Sequence, residues 1–118
     1  MPFIEAREPR VYIPNKSQHD YQDAKAFGRL VFLTTGDLPK LKIGQLFREM
    51  EPILADAIPE DYLMIAGPTT ANVVATAILA SRFEKLNYLI FDGLLGRYAP
   101  RTVILQRTRD ARTTREAS

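Results

Sequence analysis

The chain has 118 residues, 46% of them hydrophobic, so a single domain with its own apolar core is expected. With no cysteine and one histidine, disulfides, thiolate metal sites and cysteine nucleophiles are excluded, and a structural zinc site is disfavoured. The formal charge is +2, and all of it lies in the tail from Arg107, where four arginines face Asp110 and Glu116.

Residues 1–9 show no apolar period and contain two prolines, which predicts an N-terminal arm. "RVYIP" reads as a first strand, and after the polar run "NKSQHD", Asp20 is placed to cap a short helix, "YQDAKAF", that Gly28 ends. "RLVFLTTG" is apolar without alternation, the pattern of an interior strand covered on both faces. Beyond "DLPK", Ile43, Leu46, Phe47, Met50, Ile53, Leu54 and Ala57 recur at helical spacing, and Pro52 predicts a kink or two shorter helices near Glu51.

"DYLMIAG" repeats the buried-strand pattern, and "PTTANVVATAILASRFEK" reads as a helix with Pro68 in its first turn. "NYLIFDG" and "YAPRTVIL" then read as a closing hairpin around "DGLLGR", with Pro100 suited to an edge strand. The order β-α-β-α-β-α-β-β predicts one α/β domain over residues 10–106. It is expected to be Rossmann-like and three-layered, with a mostly parallel sheet of about five strands and a C-terminal antiparallel hairpin. Residues 107–118 form an arginine-rich tail expected to be flexible.

In open parallel sheets, ligands bind beyond the carboxyl ends of the strands. That edge collects Lys16, Ser17, His19, Asp20, Thr34, Thr35, Asp37, Thr69, Thr70, Asn72 and Asp92. The sharpest element is "AGPTTAN", because a glycine turn into a helix start offers free amides and a positive dipole end to an anion. Gly67, Thr69, Thr70 and Asn72 would form the cradle, with Lys16, Ser17 and Thr35 across from it, and His19 and Asp20 as acid and base. Each residue also has a structural reading as a cap or turn former. No P-loop, dinucleotide fingerprint or serine-hydrolase elbow is present, and no metal site is assigned.

The runs "IPNKSQHDYQDAKAFGRLVFLTTG", "DYLMIAGPTTANVVATAI" and "LNYLIFDGLLGRYAPRTVIL" resemble small α/β proteins predicted in phage and viral genomes, over Val11 to Leu105. The resemblance implies a host-cytoplasmic setting and no particular chemistry. "MIAGPTTANVVATAI" is also similar to a stretch of viral ring nucleases, but those place histidine where Pro68 stands here, so their activity is not implied.

The sequence thus predicts a domain that binds a phosphate-bearing small molecule or nucleotide, with its cofactor, if any, unknown and its catalysis undecided. The rival is a non-catalytic phage interaction protein, pictured as a homodimer, acting through its helices or through "GLLG" in the last hairpin. A third reading gives the arginine tail weak contact with nucleic acid. No apolar stretch approaches the roughly 20 residues of a membrane span, and "MPFIEAREPR" lacks a leader pattern, so a soluble, cytoplasmic protein is expected.

Overall fold

The computed structural model describes residues 7–16, 20–38 and 41–105. The predicted basic tail and most of the predicted arm lie outside these residues. The elements are β1 (Arg10–Ile13), a short 3-10 helix (Gln22–Phe27), β2 (Arg29–Phe32), α1 (Ile43–Leu54), β3 (Tyr62–Met64), α2 (Thr69–Ala80), β4 (Lys85–Asp92) and β5 (Arg97–Ile104). They form an α/β fold around a five-stranded mixed sheet of order β2-β1-β3-β4-β5. The pairs β1/β2, β1/β3 and β3/β4 are parallel, and β4/β5 is an antiparallel hairpin.

Side chains alternate across the sheet as the strand pleat requires. Tyr12, Leu63 and Leu86 pack with Leu46, Met50 and Leu54 of α1 and with Ala71, Val74, Ala75, Ile78 and Leu79 of α2. Val11, Ile13, Met64 and Leu89 form a second cluster with Tyr21 and with Ala24 of the 3-10 helix. Fully burying a residue such as Leu46 or Met50 stabilises the fold by about 2 kcal/mol. Two strong tendencies therefore agree: α1 has an apolar stripe, and the sheet supplies the surface that the stripe covers.

The structure corrects four local expectations. β2 is an edge strand and not an interior one. Its unbroken apolar run has another cause: Val31 packs in the cluster that holds both α-helices, while Leu30 and Phe32 pack in the other. Apolar continuity reports that both faces are covered and says nothing of position in the sheet.

The helix after the polar run is 3-10 and not α, and it starts at Gln22. α1 is continuous through Glu51, because Pro52 falls in its last turn, where one hydrogen bond is lost just before the helix ends. α2 is shorter than predicted, ending at Ala80, and Pro68 is its N-cap with an extended backbone, outside the first turn.

The sheet's amino end is held by charge. Arg7 donates to both carboxylate oxygens of buried Asp61, at 2.9 and 2.6 Å. The same carboxylate accepts the backbone N–H groups of Arg10 (2.8 Å) and Ile58 (3.0 Å). Gly28 completes this end, since a Cβ there would collide with the Pro9 carbonyl group.

Candidate functional site

Strand order reverses between β1 and β3, so the loops leaving these two strands face each other at the carboxyl edge. They do meet: a Cβ on Gly67 would lie 3.8 Å from the Asn15 side chain. Gly67 has φ 77°, a left-handed conformation that glycine takes without strain. Ser17, Gln18 and His19 lie outside the described residues, so the predicted acid–base pair has only Asp20 on view.

Several polar side chains at this edge are turned toward the protein itself. Asn15 is buried and its amide donates to the Gly36 carbonyl at 3.1 Å. Its oxygen lies 2.9 Å from the Thr34 hydroxyl, which also reaches the Pro14 carbonyl at 2.7 Å. Asp20 accepts the Gln22 N–H at 2.8 Å and so supports the 3-10 helix.

Asn72 reaches back from α2 to the turn before it. Its oxygen accepts the Ala66 N–H at 3.2 Å, and its amide donates to Ala66 and Pro68 carbonyls at 3.0 and 2.9 Å. The Thr70 hydroxyl oxygen is enclosed and has no hydrogen-bond partner among the described residues, so it is not presented at the surface. Lys16 bridges Thr35 through backbone pairing, and its ammonium sits 5.3 Å from the Phe32 ring centroid. Thr35 and Thr69 are exposed.

An open pocket borders the other side of this edge, lined by Thr34, Thr35 and Asp37 with Gln45 and Glu49 of α1. Its carboxylates make it a poor match for a phosphate. Among the described residues, no group of three His, Cys, Asp or Glu side chains is placed to hold a metal.

The hairpin behaves differently. Only Asn87, Tyr88 and Leu89 of β4 pair with β3, so the far half of the hairpin runs on past the end of that strand. Asp92 fixes its turn: one carboxylate oxygen accepts the N–H groups of Leu94 (2.9 Å) and Leu95 (3.2 Å), and its carbonyl accepts the Gly96 N–H (2.8 Å). This arrangement turns Leu94 outward at 98% exposure and Leu95 at 61%. Below them Phe91 is 54% exposed, with its ring set edge-on to Tyr98 at 5.5 Å.

The electrostatic shifts at Arg7, Arg10, Tyr12 and Asp56 cluster around the amino end of the sheet, whereas Tyr98 lies toward the carboxyl edge beside Tyr21 and Asp23. Hydrogen bonding to Asp61 raises the Arg7 guanidinium above its usual value, and bonds to Tyr12 and Asp56 do the same for Arg10. The Arg10 contact lowers the Asp56 carboxyl. Burial raises the phenols of Tyr12 and Tyr98. These shifts follow structural pairing and desolvation and do not gather around a cleft.

The family model of phage Pam3 gp32-like proteins matches residues 9–105. The chain belongs to that phage family. This agrees with the resemblance in the sequence and covers both the carboxyl edge and the hairpin. No curated protein and no solved structure matches the chain. Among the described residues, no helix is long and apolar enough to cross a membrane.

The sequence pointed to the loops that meet, but it did not separate side chains that face a ligand from those that hold a turn. It also passed over Asp61 and read Asn15 only as a turn former, because their partners lie 51 and 19 positions away.

Proposed function

We propose that this phage-family protein is a non-catalytic interaction module whose β4–β5 hairpin tip docks into an apolar groove on another phage-encoded protein. One observation carries the proposal: Asp92 ties down a turn that presents Leu94 and Leu95 to solvent, and neither leucine belongs to a core cluster. Holding two leucines outward is unfavourable in isolation, and a pocket that buries each would contribute about 2 kcal/mol. The proposal takes the domain as Rossmann-like and three-layered, with a mostly parallel sheet that serves as a rigid base for the hairpin, and it places the protein in the host cytoplasm.

The test is capture from phage-infected cells with the tagged wild type and the double variant Leu94→Asp/Leu95→Asp. A phage-encoded partner held by the wild type and lost by the variant is expected. Equal capture by both would remove the tip from the interaction.

A second reading keeps a phosphate-bearing small molecule or nucleotide at the carboxyl edge. It is favoured by the open first turn of α2, whose amides lack intrahelical partners, with Thr69 exposed beside Gly67. In that reading Gly67, Thr69 and Thr70 border the anion, Lys16, Ser17 and Thr35 line the opposite side, and Asn72 holds the turn; His19 and Asp20 would serve as acid and base. A thermal-shift series with mono-, di- and cyclic nucleotides and inorganic phosphate decides it. At a hundred times its dissociation constant a ligand adds about 2.7 kcal/mol, whereas a flat series leaves only the interaction module.

A further inference from the structure

We propose that two copies of this chain associate through the C-terminal half of β5, pairing antiparallel about a two-fold axis at Val103. The contact lies at the opposite end of the hairpin from Leu94 and Leu95 and is independent of the proposed tip interaction.

The hydrogen-bonding parity of β5 is fixed by its partner. Leu105 N–H donates to the Glu84 carbonyl at 2.7 Å, and the register runs Lys85↔Ile104, Leu86↔Val103, Asn87↔Thr102 and onward. In an antiparallel ladder, hydrogen-bonded and non-hydrogen-bonded pairs alternate. Val103, Arg101 and Ala99 therefore direct their backbone groups toward β4. Thr102, Ile104, Pro100 and Tyr98 direct theirs to the outer side, where no further strand lies among the described residues.

Pro100 has no N–H, so it interrupts the outer edge at the middle of the strand without weakening the pairing with β4. The half beyond it is uninterrupted. Thr102 and Ile104 there offer two donors and two acceptors, the pattern that a second strand needs.

The side chains of this half fit their own copy. An antiparallel register centred on Val103 sets Thr102 against the partner copy's Ile104 and Ile104 against its Thr102, forming four N–H···O bonds. It brings Val103, 43% exposed, against its twin in the closer non-hydrogen-bonded pair, and it covers Ile104, 64% exposed. Arg101 falls opposite Leu105, so no like charges meet directly. A shift that avoided this register by centring on Arg101 would oppose two guanidinium groups. The patch is thus complementary to itself, which a two-fold contact demands. Backbone pairing at an exposed sheet edge is a recurring mode of recognition.

The test measures mass in solution by light scattering over a concentration series. Wild type is expected to reach twice the 13.4 kDa chain mass as concentration rises. Thr102→Pro removes one outward donor and should remain at the monomer mass. Thr102→Val loses the same side-chain hydroxyl, which contacts Asn87 at 2.8 Å, but keeps the N–H and should still dimerise. Circular dichroism checks the fold of each. If Thr102→Pro does not fold, Val103→Lys supplies the decision, since two lysines would then face each other across the axis. A wild type that stays monomeric throughout, or a dimer unaffected by both Thr102→Pro and Val103→Lys, overturns the proposal. Leu94→Asp/Leu95→Asp should leave the dimer intact, so loss of partner capture and loss of dimerisation are separable results.

Discussion

In the β2-β1-β3 body, Asp61, Asn15 and Asn72 turn their polar atoms inward to hold loops at the two ends of the strands. On the β4–β5 hairpin, Phe91, Leu94, Leu95, Val103 and Ile104 leave carbon exposed. The contrast separates two uses of surface. In the loops that look like a site in the sequence, Asn15, Asp20, Thr34 and Asn72 hold the backbone, while Lys16, Thr35 and Thr69 stay exposed; the simple-looking hairpin presents apolar groups that the two core clusters do not use. Exposed apolar atoms are ordinary on any protein and also occur in the body at Leu41, Ile43, Phe47 and Val73, so the informative point is that Ile90, Phe91, Leu94, Leu95, Val103 and Ile104 share one hairpin.

The largest expected effect lies at the amino end of the body. Asp61→Ala removes a buried carboxylate that accepts from Arg7 and from the backbone of Arg10 and Ile58. Breaking a largely buried pair and leaving amide donors unmet should cost about 3 kcal/mol. Urea unfolding measures it. Asp61→Asn, which keeps one acceptor, should lie between wild type and alanine; a loss under about 1 kcal/mol for alanine would show that solvent replaces the carboxylate freely.

A smaller loss is expected at the carboxyl edge. Asn72→Ala abolishes three hydrogen bonds within the Ala66–Pro68 turn and should cost about 2 kcal/mol, lowering Tm by roughly 10 °C. This substitution sharpens the comparison because it treats Asn72 as a fastener. If stability is unchanged while nucleotide binding disappears, Asn72 belongs to a ligand site and the body has been assigned the wrong role.

Much of this architecture is legible from the chain alone. The five strands, the two α-helices and the closing hairpin follow from local apolar patterning and turn residues, which are properties of neighbouring positions. Pro100 on an edge strand is legible for the same reason, since its missing N–H excludes it from a central strand. The edge position of β2 is not, because covering by the helical elements gives Leu30, Val31 and Phe32 the composition of a central strand. The 3-10 form of the first helix is also hidden, as the same short run satisfies either geometry.

At the candidate site, the sequence identifies which loops converge but not where their side chains point. Thr69 and Thr70 are adjacent and alike, yet one is exposed and the other encloses its hydroxyl oxygen. That difference arises from the helix phase set at Pro68 and from packing on the sheet. Asp92 was legible as a turn residue, but the consequence of its turn, two leucines held in solvent, required the register of β4 against β5.

The smallest stability effect is expected at the hairpin tip, and it is the most direct challenge to the comparison. Leu94→Asp/Leu95→Asp introduces two charges where Leu94 stands in water and Leu95 is 61% exposed, leaving the Asp92 carboxylate and the two backbone donors in place. The added charges lie near Asp92, so a slight loss from repulsion is expected, within about 0.5 kcal/mol, as for other surface substitutions. Thermal unfolding of the isolated protein measures this alongside partner capture. A loss above about 1.5 kcal/mol would mean that the leucines already pack within the free protein, because exposed carbon has no contacts to forfeit. The tip would then be part of the core's support, and the contrast between a self-fastened body and an outward-facing hairpin would fail at its clearest point.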